Sequence, residues 1–254
     1  DSFMDLTYQI PSFSYMLDTI LPFQSGEQSA FFADGLFRFY PQFDRERMAS
    51  LPAEGKRAYL AEGLEKYYAE NTALFEQKRA AWQRHWDASR AVAEEAFSER
   101  FAMDLQGEFQ DMTGNLSLNP VCPRYLDTHA FDIFYLNSER GALGMALHEI
   151  THFVWFQKWN RLFGDDPEEY EAPHLKWVLS EIVVDAVLQE PRLRALNPYR
   201  DETVYAYFYH CKAGGRPLLS TMAEWFAENP IETFMEKSYA FVKEHEAEIR
   251  AVML

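Results

Sequence analysis

Residues 146–153 read Ala146-Leu-His148-Glu149-Ile-Thr-His152-Phe153, a His-Glu-x-x-His pattern. On an α-helix two residues four apart differ by about 40° around the axis, so the imidazoles of His148 and His152 leave one face and can grip the same ion. Glu149 stands about 100° from His148, which sets its carboxylate beside such an ion rather than on it, where it can take a proton from a water the ion has acidified. Imidazole nitrogen suits Zn²⁺, and a zinc that does chemistry keeps three protein ligands and one open position. Two surface histidines flanking a helical Glu is the competing reading. Against it stand the apolar neighbours Leu147, Ile150 and Phe153, and the absence of Pro and Gly from Met145 to Phe163.

A third ligand must come from elsewhere. Starting 29 positions after His152 is Glu181-Ile-Val-Val-Asp185, whose two carboxylates share a helical face. Leu179, Ile182, Val183, Val184, Ala186 and Val187 surround them, so this helix is expected to be buried nearly all round. A buried, unpaired carboxylate is costly, and a metal ion with a ligating histidine is one remedy; an ion pair to Arg or Lys is another. Glu181 is the expected third ligand. Asp185, one turn on, is expected to accept the free ring N–H of His148 or His152 and fix its tautomer. Glu171 and His174 compete as ligands, but in a less apolar stretch.

Taken together, His148-Glu149-x-x-His152 and the later Glu181-x-x-x-Asp185 resemble the gluzincin branch of the zinc metallopeptidases, over roughly residues 113–190. The resemblance implies an α+β, zincin-like fold, mostly helical, with a small sheet ahead of the metal helix. It implies Zn²⁺ on His148, His152 and Glu181, Glu149 as general base, Asp185 behind the ligands, and a peptide or protein substrate. In that family an edge strand pairs with extended substrate, a role that would fall to Phe131–Leu136. Metzincins are disfavoured, because Trp155 and Lys158 stand where that branch has Gly and its third His. The Gly-x-Met-Glu-Asn signature of gluzincin aminopeptidases is missing too. Gluzincins usually supply a His or Tyr oxyanion donor from a later helix. Val204-Tyr-Ala-Tyr-Phe-Tyr-His210 offers Tyr205, Tyr209 and His210, with Tyr209 and His210 the two carried forward as catalytic candidates. Tyr205 and Tyr209 are four apart and share a face if this stretch is helical; core filling is the rival reading. Tyr239 is a further donor candidate, and Arg216, after Gly214-Gly215, could bind a substrate carboxylate. His85, His129 and His245 have no partner pattern and read as surface or cap residues.

Positioning these groups needs particular elements. Glu139 to Phe163 reads as one helix, capped by Asn137-Ser138 and stopped by Gly164-Asp-Asp-Pro167; a second runs from near Pro173 to before Pro191. Ahead of them, residues 112–120 alternate Leu116 and Leu118 with polar neighbours, and 131–136 puts Phe131, Ile133 and Tyr135 opposite Asp132; both read as strands. A short helix fits Tyr15–Phe23, and the aromatic stretch Ala30–Tyr40 reads as core-facing. From Asp44 to about Leu105 two or three helices fit, with a break at Asn71 and a stripe of Leu60, Leu64 and Tyr67. Leu218–Ala227 and Ile231 to about Ala251 read as two amphipathic helices closing the chain. The change of character at Gly107 suggests an N-terminal helical region, 1–112, and a catalytic region, 113–254, within one compact unit or as two.

Composition bounds the rest. With 254 residues, 48% hydrophobic and 25% charged, the chain is globular. Its net charge of −16 repels a nucleic-acid backbone and would favour basic or neutral peptides. No apolar run spans a bilayer, and the N-terminus lacks the pattern of a secretory signal, so cytoplasmic residence is expected. Residue 1 is not Met, which leaves open an appended Asp1–Phe3 before an initiator Met4, or upstream removal. Cys122 and Cys211 read as buried free thiols. Three alternatives stay open: an inactive zincin scaffold that binds peptide, a non-peptidase zinc amide or ester hydrolase, and a helical protein with no metal.

Overall fold

Several helices in this chain begin where a side-chain oxygen or a proline sets the first turn. Ser12 accepts from Tyr15 N at 3.1 Å and Asp44 from Arg47 N at 2.8 Å, while Pro52, Pro217 and Pro230 precede three others. The computed structural model describes residues 4–26, 32–105 and 107–254; Asp1–Phe3, and Ala30 and Phe31 of the aromatic stretch, lie outside them. In chain order the elements are β1 (Met4–Gln9), α1 (Phe13–Ile20), α2 (Asp34–Phe39), α3 (Arg45–Ser50), α4 (Ala53–Glu70), α5 (Thr72–Phe101), β2 (Phe109–Ser117), β3 (Arg124–Tyr125) and β4 (Ala130–Phe134). Then come α6 (Glu139–Phe163), α7 (Leu175–Leu188), α8 (Pro191–Leu196), β5 (Lys212–Ala213), β6 (Arg216–Pro217), α9 (Leu218–Glu228), α10 (Ile231–Glu244) and α11 (Glu246–Val252). The architecture is α+β, mostly helical with a small sheet. Among the described residues no helix is long and apolar enough to cross a membrane.

Two compact units emerge, and they interleave along the chain. One joins Ala88–Phe109 to Leu143–Leu254, with Met4; the other joins Asp5–Asp87 to Gln110–Ala142. The composition shift at Gly107 falls where helix α5 gives way to strand β2. Both long helices, α5 and α6, run through a division, which loop-centred reading of a sequence does not anticipate.

The unit containing Gln110–Ala142 carries the sheet, in the order β1-β2-β4-β3, with β2 and β4 parallel from Thr113↔Ala130 to Ser117↔Phe134. Here β4 is not an edge. The short β3 pairs with it at Arg124↔Phe131 and Tyr125↔Ala130, so the expected strand-addition role of Phe131–Leu136 is blocked along that stretch. The polar residues that alternate with Leu116 and Leu118 are buried as well, and each has partners. Asn115 donates to Asp132 Oδ1 at 3.1 Å, Ser117 Oγ accepts from Asn119 N, and Asn119 Nδ2 donates to the Thr19 carbonyl. At Gly114 a Cβ would meet the Tyr8 ring at 2.6 Å; only glycine lets that ring lie on β2 and reach Phe131 and Trp82.

In the unit containing Leu143–Leu254, α7 packs against α9 and α10, and Phe101, Trp155, Phe226 and Phe234 join edge to face in the core. The closing helix expected over Ile231–Ala251 is broken at His245 into α10 and α11. Near the N-terminus α1 stops at Ile20, and Pro22 falls in a single 3₁₀ turn, Leu21–Gln24. Cys211 is buried as expected, and Cys122 is only half-buried.

Candidate metal centre

Local sequence explains why α6 presents its motif. Ser138 Oγ accepts from Gly141 N at 2.9 Å at its start. At its end Gly164, at φ +61°, lets its N–H reach the Asn160 carbonyl at 2.7 Å. Between them Leu147, Ile150, Phe153 and Val154 are buried, which fixes the helix's rotation. His152 and Glu149 are thereby carried inside, and His148 sits at the margin. On α7 every residue from Val178 to Leu188 is buried, so Glu181 and Asp185 enter the interior on an apolar helix, as their neighbours implied.

The geometry brings three ligand-type atoms together. His148 Nε2 and His152 Nε2 are 3.2 Å apart, Glu181 Oε1 lies 3.4 Å from His152 Nε2, and Glu181 Oε2 lies 3.6 Å from His148 Nε2. Among the described residues His148, His152 and Glu181 form the group able to hold a metal ion, with ligand atoms within 4.8 Å of one another. Three atoms at bond lengths of about 2.0–2.1 Å around a tetrahedral centre would be roughly 3.3 Å apart, close to what is seen. The His148 Nδ1–H donates to the Thr203 carbonyl at 3.0 Å, which leaves Nε2 with its lone pair facing the cluster. Glu149 Oε1 lies 3.6 Å from His148 Nε2, beside the ligand atoms. With both carboxylates ionised and both rings neutral, these four side chains sum to two negative charges in a buried place, a balance that a divalent cation cancels.

A buttress stands behind His152. Its ring stacks on Phe156 at 6.4 Å, and Phe156 stacks on Tyr170 at 4.4 Å. Tyr170 belongs to the 3₁₀ turn Pro167–Tyr170, and its hydroxyl donates to Asp165. Asp165 also accepts from Trp159 Nε1 at 2.8 Å and pairs with Lys176 at 2.7 Å. Burial pushes the Asp165 carboxyl up, but Lys176, Tyr170 and Trp159 outweigh it and hold the group below its ordinary value.

Asp185 reaches the ligands by another route than the expected one to His148. Its Oδ1 accepts from Thr203 Oγ1 at 2.6 Å and from Gln189 Nε2 at 3.2 Å, and it is Thr203 whose carbonyl takes the His148 ring N–H. Glu171 and His174 are exposed ahead of α7 and outside the cluster.

Residues 201–212 do not form a helix, so the four-apart argument for Tyr205 and Tyr209 does not apply. Only Ala206–Phe208 makes a 3₁₀ turn. The Tyr209 hydroxyl accepts from Thr203 N at 2.6 Å and Val204 N at 3.3 Å, which makes it a clamp on that loop. His210 is exposed just past the turn. Tyr205 stacks in parallel on Tyr207 at 5.3 Å. Tyr207 itself escaped the sequence reading. Burial, and after it the Glu181 carboxylate, pushes its phenol up to about 12. Its place in Tyr-Ala-Tyr-Phe-Tyr was visible, but helical spacing pointed to its neighbours. Tyr239 packs edge-on against Trp159 at 5.2 Å, and Arg216 lies over Trp225 at 5.5 Å. His85, His129 and His245 each meet an acidic side chain, Glu139, Asp111 and Glu248.

Comparison with protein-family models, with curated proteins and with solved structures returns no match.

Proposed function

We propose that the chain is a zinc-dependent hydrolase, zincin-like in fold and gluzincin-like in its ligand set, that cleaves peptide bonds. The observation that carries this reading is the convergence of His148, His152 and Glu181 at 3.2–3.6 Å with Glu149 alongside. Two imidazoles and one carboxylate are a ligand set suited to zinc, and three protein ligands leave the fourth position that chemistry requires. When bound there, zinc supplies a Lewis acid that polarises a carbonyl and acidifies a water.

The protein's own groups do the rest. Glu149, buried and off the ligand positions, takes a proton from the attacking water and hands it to the departing amine. Tyr207, half-buried in the loop that carries Thr203 and with its phenol raised in part by the Glu181 carboxylate, is our assignment for the oxyanion donor. His148 is kept in one tautomer by the Thr203 carbonyl. The net charge of −16 favours basic or neutral peptides over acidic ones. Cytoplasmic residence is a companion proposal, in keeping with a chain of only two cysteines.

The test is turnover by the zinc-loaded protein on parallel panels of peptides, amides and esters. Zinc-dependent peptide cleavage, faster for basic than for acidic sequences at low salt, supports the reading. Cleavage of amides or esters alone would move the function to another hydrolase, and zinc binding with no turnover would leave a scaffold that holds peptide without cutting it.

A further inference from the structure

The segment from Asn197 to Tyr205, between α8 and the 3₁₀ turn, lies in neither helix nor strand, yet it supplies the group that orients a metal ligand. An irregular loop can do that only if it is held. Asn197, almost fully buried, accepts from Tyr199 N at 3.0 Å and donates to the Tyr199 carbonyl at 3.4 Å. Gln189 donates to the Arg200 carbonyl at 3.2 Å. Gly144, one turn before His148 on α6, leaves room for the loop: a Cβ there would stand 3.0 Å from Asn197 Oδ1 and 3.3 Å from the Tyr199 ring.

All of this converges on Thr203, which is itself buried. Its carbonyl accepts the His148 ring N–H on α6, its hydroxyl donates to Asp185 on α7, and its backbone N–H donates to the Tyr209 hydroxyl. Because the Thr203 hydrogen is committed to Asp185, the 3.3 Å contact between the two hydroxyls has Tyr209 as its donor. The chain of bonds is therefore directional, from Tyr209 to Thr203 to the Asp185 carboxylate. Asp185 lies one turn beyond Glu181 on the same helix, so this one residue ties the two ligand-bearing helices together.

We propose that Thr203 is a positioning residue of the metal centre, locking the His148 ring on α6 to the Glu181 helix α7 through its own carbonyl and hydroxyl. Other residues share its carbonyl, but among isosteres only the hydroxyl can grip Asp185. The proposal needs the metal centre and not peptide cleavage.

The experiment measures zinc affinity and release by chelator competition on the full chain, for wild type, Thr203→Val, Thr203→Ser and Tyr209→Phe, with the Co²⁺ absorption spectrum as a second readout. Loss of a group supporting a ligand weakens metal binding by about 10–100-fold, and that is expected for Thr203→Val, together with an altered Co²⁺ band. Thr203→Ser should restore affinity and spectrum, which a role in packing alone would not allow. Tyr209→Phe should shift both in the direction of Thr203→Val, by less, and decides the matter should the valine variant not fold. Wild-type affinity and spectrum in Thr203→Val would overturn the proposal while leaving the metal centre standing. Absence of zinc binding in the wild type would remove both.

Discussion

Replacing Glu149 by Gln separates chemistry from metal binding. The side chain is nearly buried, and its Oε1 lies 3.6 Å from His148 Nε2 without being one of the three clustered ligand atoms. Glutamine has the same shape, so no cavity opens and the helix register is kept. What disappears is the ability to accept a proton from water and return it. General-base loss of this kind lowers turnover by about 10²–10⁴-fold, equivalent to about 3–5 kcal/mol in the barrier. In the proposed mechanism the carboxylate acts on the water and not on substrate binding, so KM should stay near wild type while kcat falls. The assay is steady-state cleavage of whichever peptide the substrate panel identifies, with zinc content measured on the same preparations. A Glu149→Gln protein that holds a full complement of zinc and turns over at the wild-type rate would refute the assignment and send the search for a base elsewhere.

Other consequences can be measured independently. Tyr207→Phe removes the proposed oxyanion donor and should cost about 10²-fold in kcat with zinc retained; an unchanged kcat would exclude that hydroxyl from the chemistry. Gly144→Ala pushes a methyl against Asn197 and Tyr199, so thermal unfolding should report a loss of about 1–3 kcal/mol and chelator competition a weaker zinc site; no change in either would mean the loop does not rest on α6 there. Asp132 gives a pH signature. Burial raises its carboxyl from 3.8 to about 6, against the hydrogen bonds of Asn115, Tyr15 and Tyr125. The folded state therefore holds the proton more tightly than the unfolded chain, and stability falls as pH rises from about 4 to about 6, by up to about 3 kcal/mol. Asp132→Asn should thus unfold at a higher temperature than wild type near about pH 7.5, with the gap closing near about pH 4. An offset of equal size at both pH values would contradict this.

What could be read from the sequence follows from how local each signal is. The His148-Glu149-x-x-His152 spacing needs only an α-helix to bring two rings together, and α6 spans the residues its cap and its terminal glycine announce. The burial of Glu181 was legible because Leu179, Ile182, Val183, Val184, Ala186 and Val187 around it on α7 are apolar. The break at Asn71 separates α4 from α5 as its residue type suggests. Long-range relations were not legible. Nothing near Asp185 announces Thr203, 18 residues on, and no periodicity marks a loop that folds back over α6. Tyr209 was singled out by a helical spacing, but the segment makes a single 3₁₀ turn and its hydroxyl clamps the loop, while it is the Tyr207 phenol that the Glu181 carboxylate raises. Strand order failed in the same way: Phe131–Leu136 has the composition of a strand, but only pairing with the two-residue β3 shows that it is not an edge.

The central claim is that these three side chains bind one metal ion, and metal content per chain tests it most directly. Wild type, His148→Ala and Glu181→Ala, each supplied with zinc and dialysed identically, are to be compared by plasma mass spectrometry. About one zinc per chain is expected in wild type, with little or none in either variant, since three protein ligands are what a catalytic site keeps. A wild-type chain that emerges from dialysis without metal would contradict the account at its root.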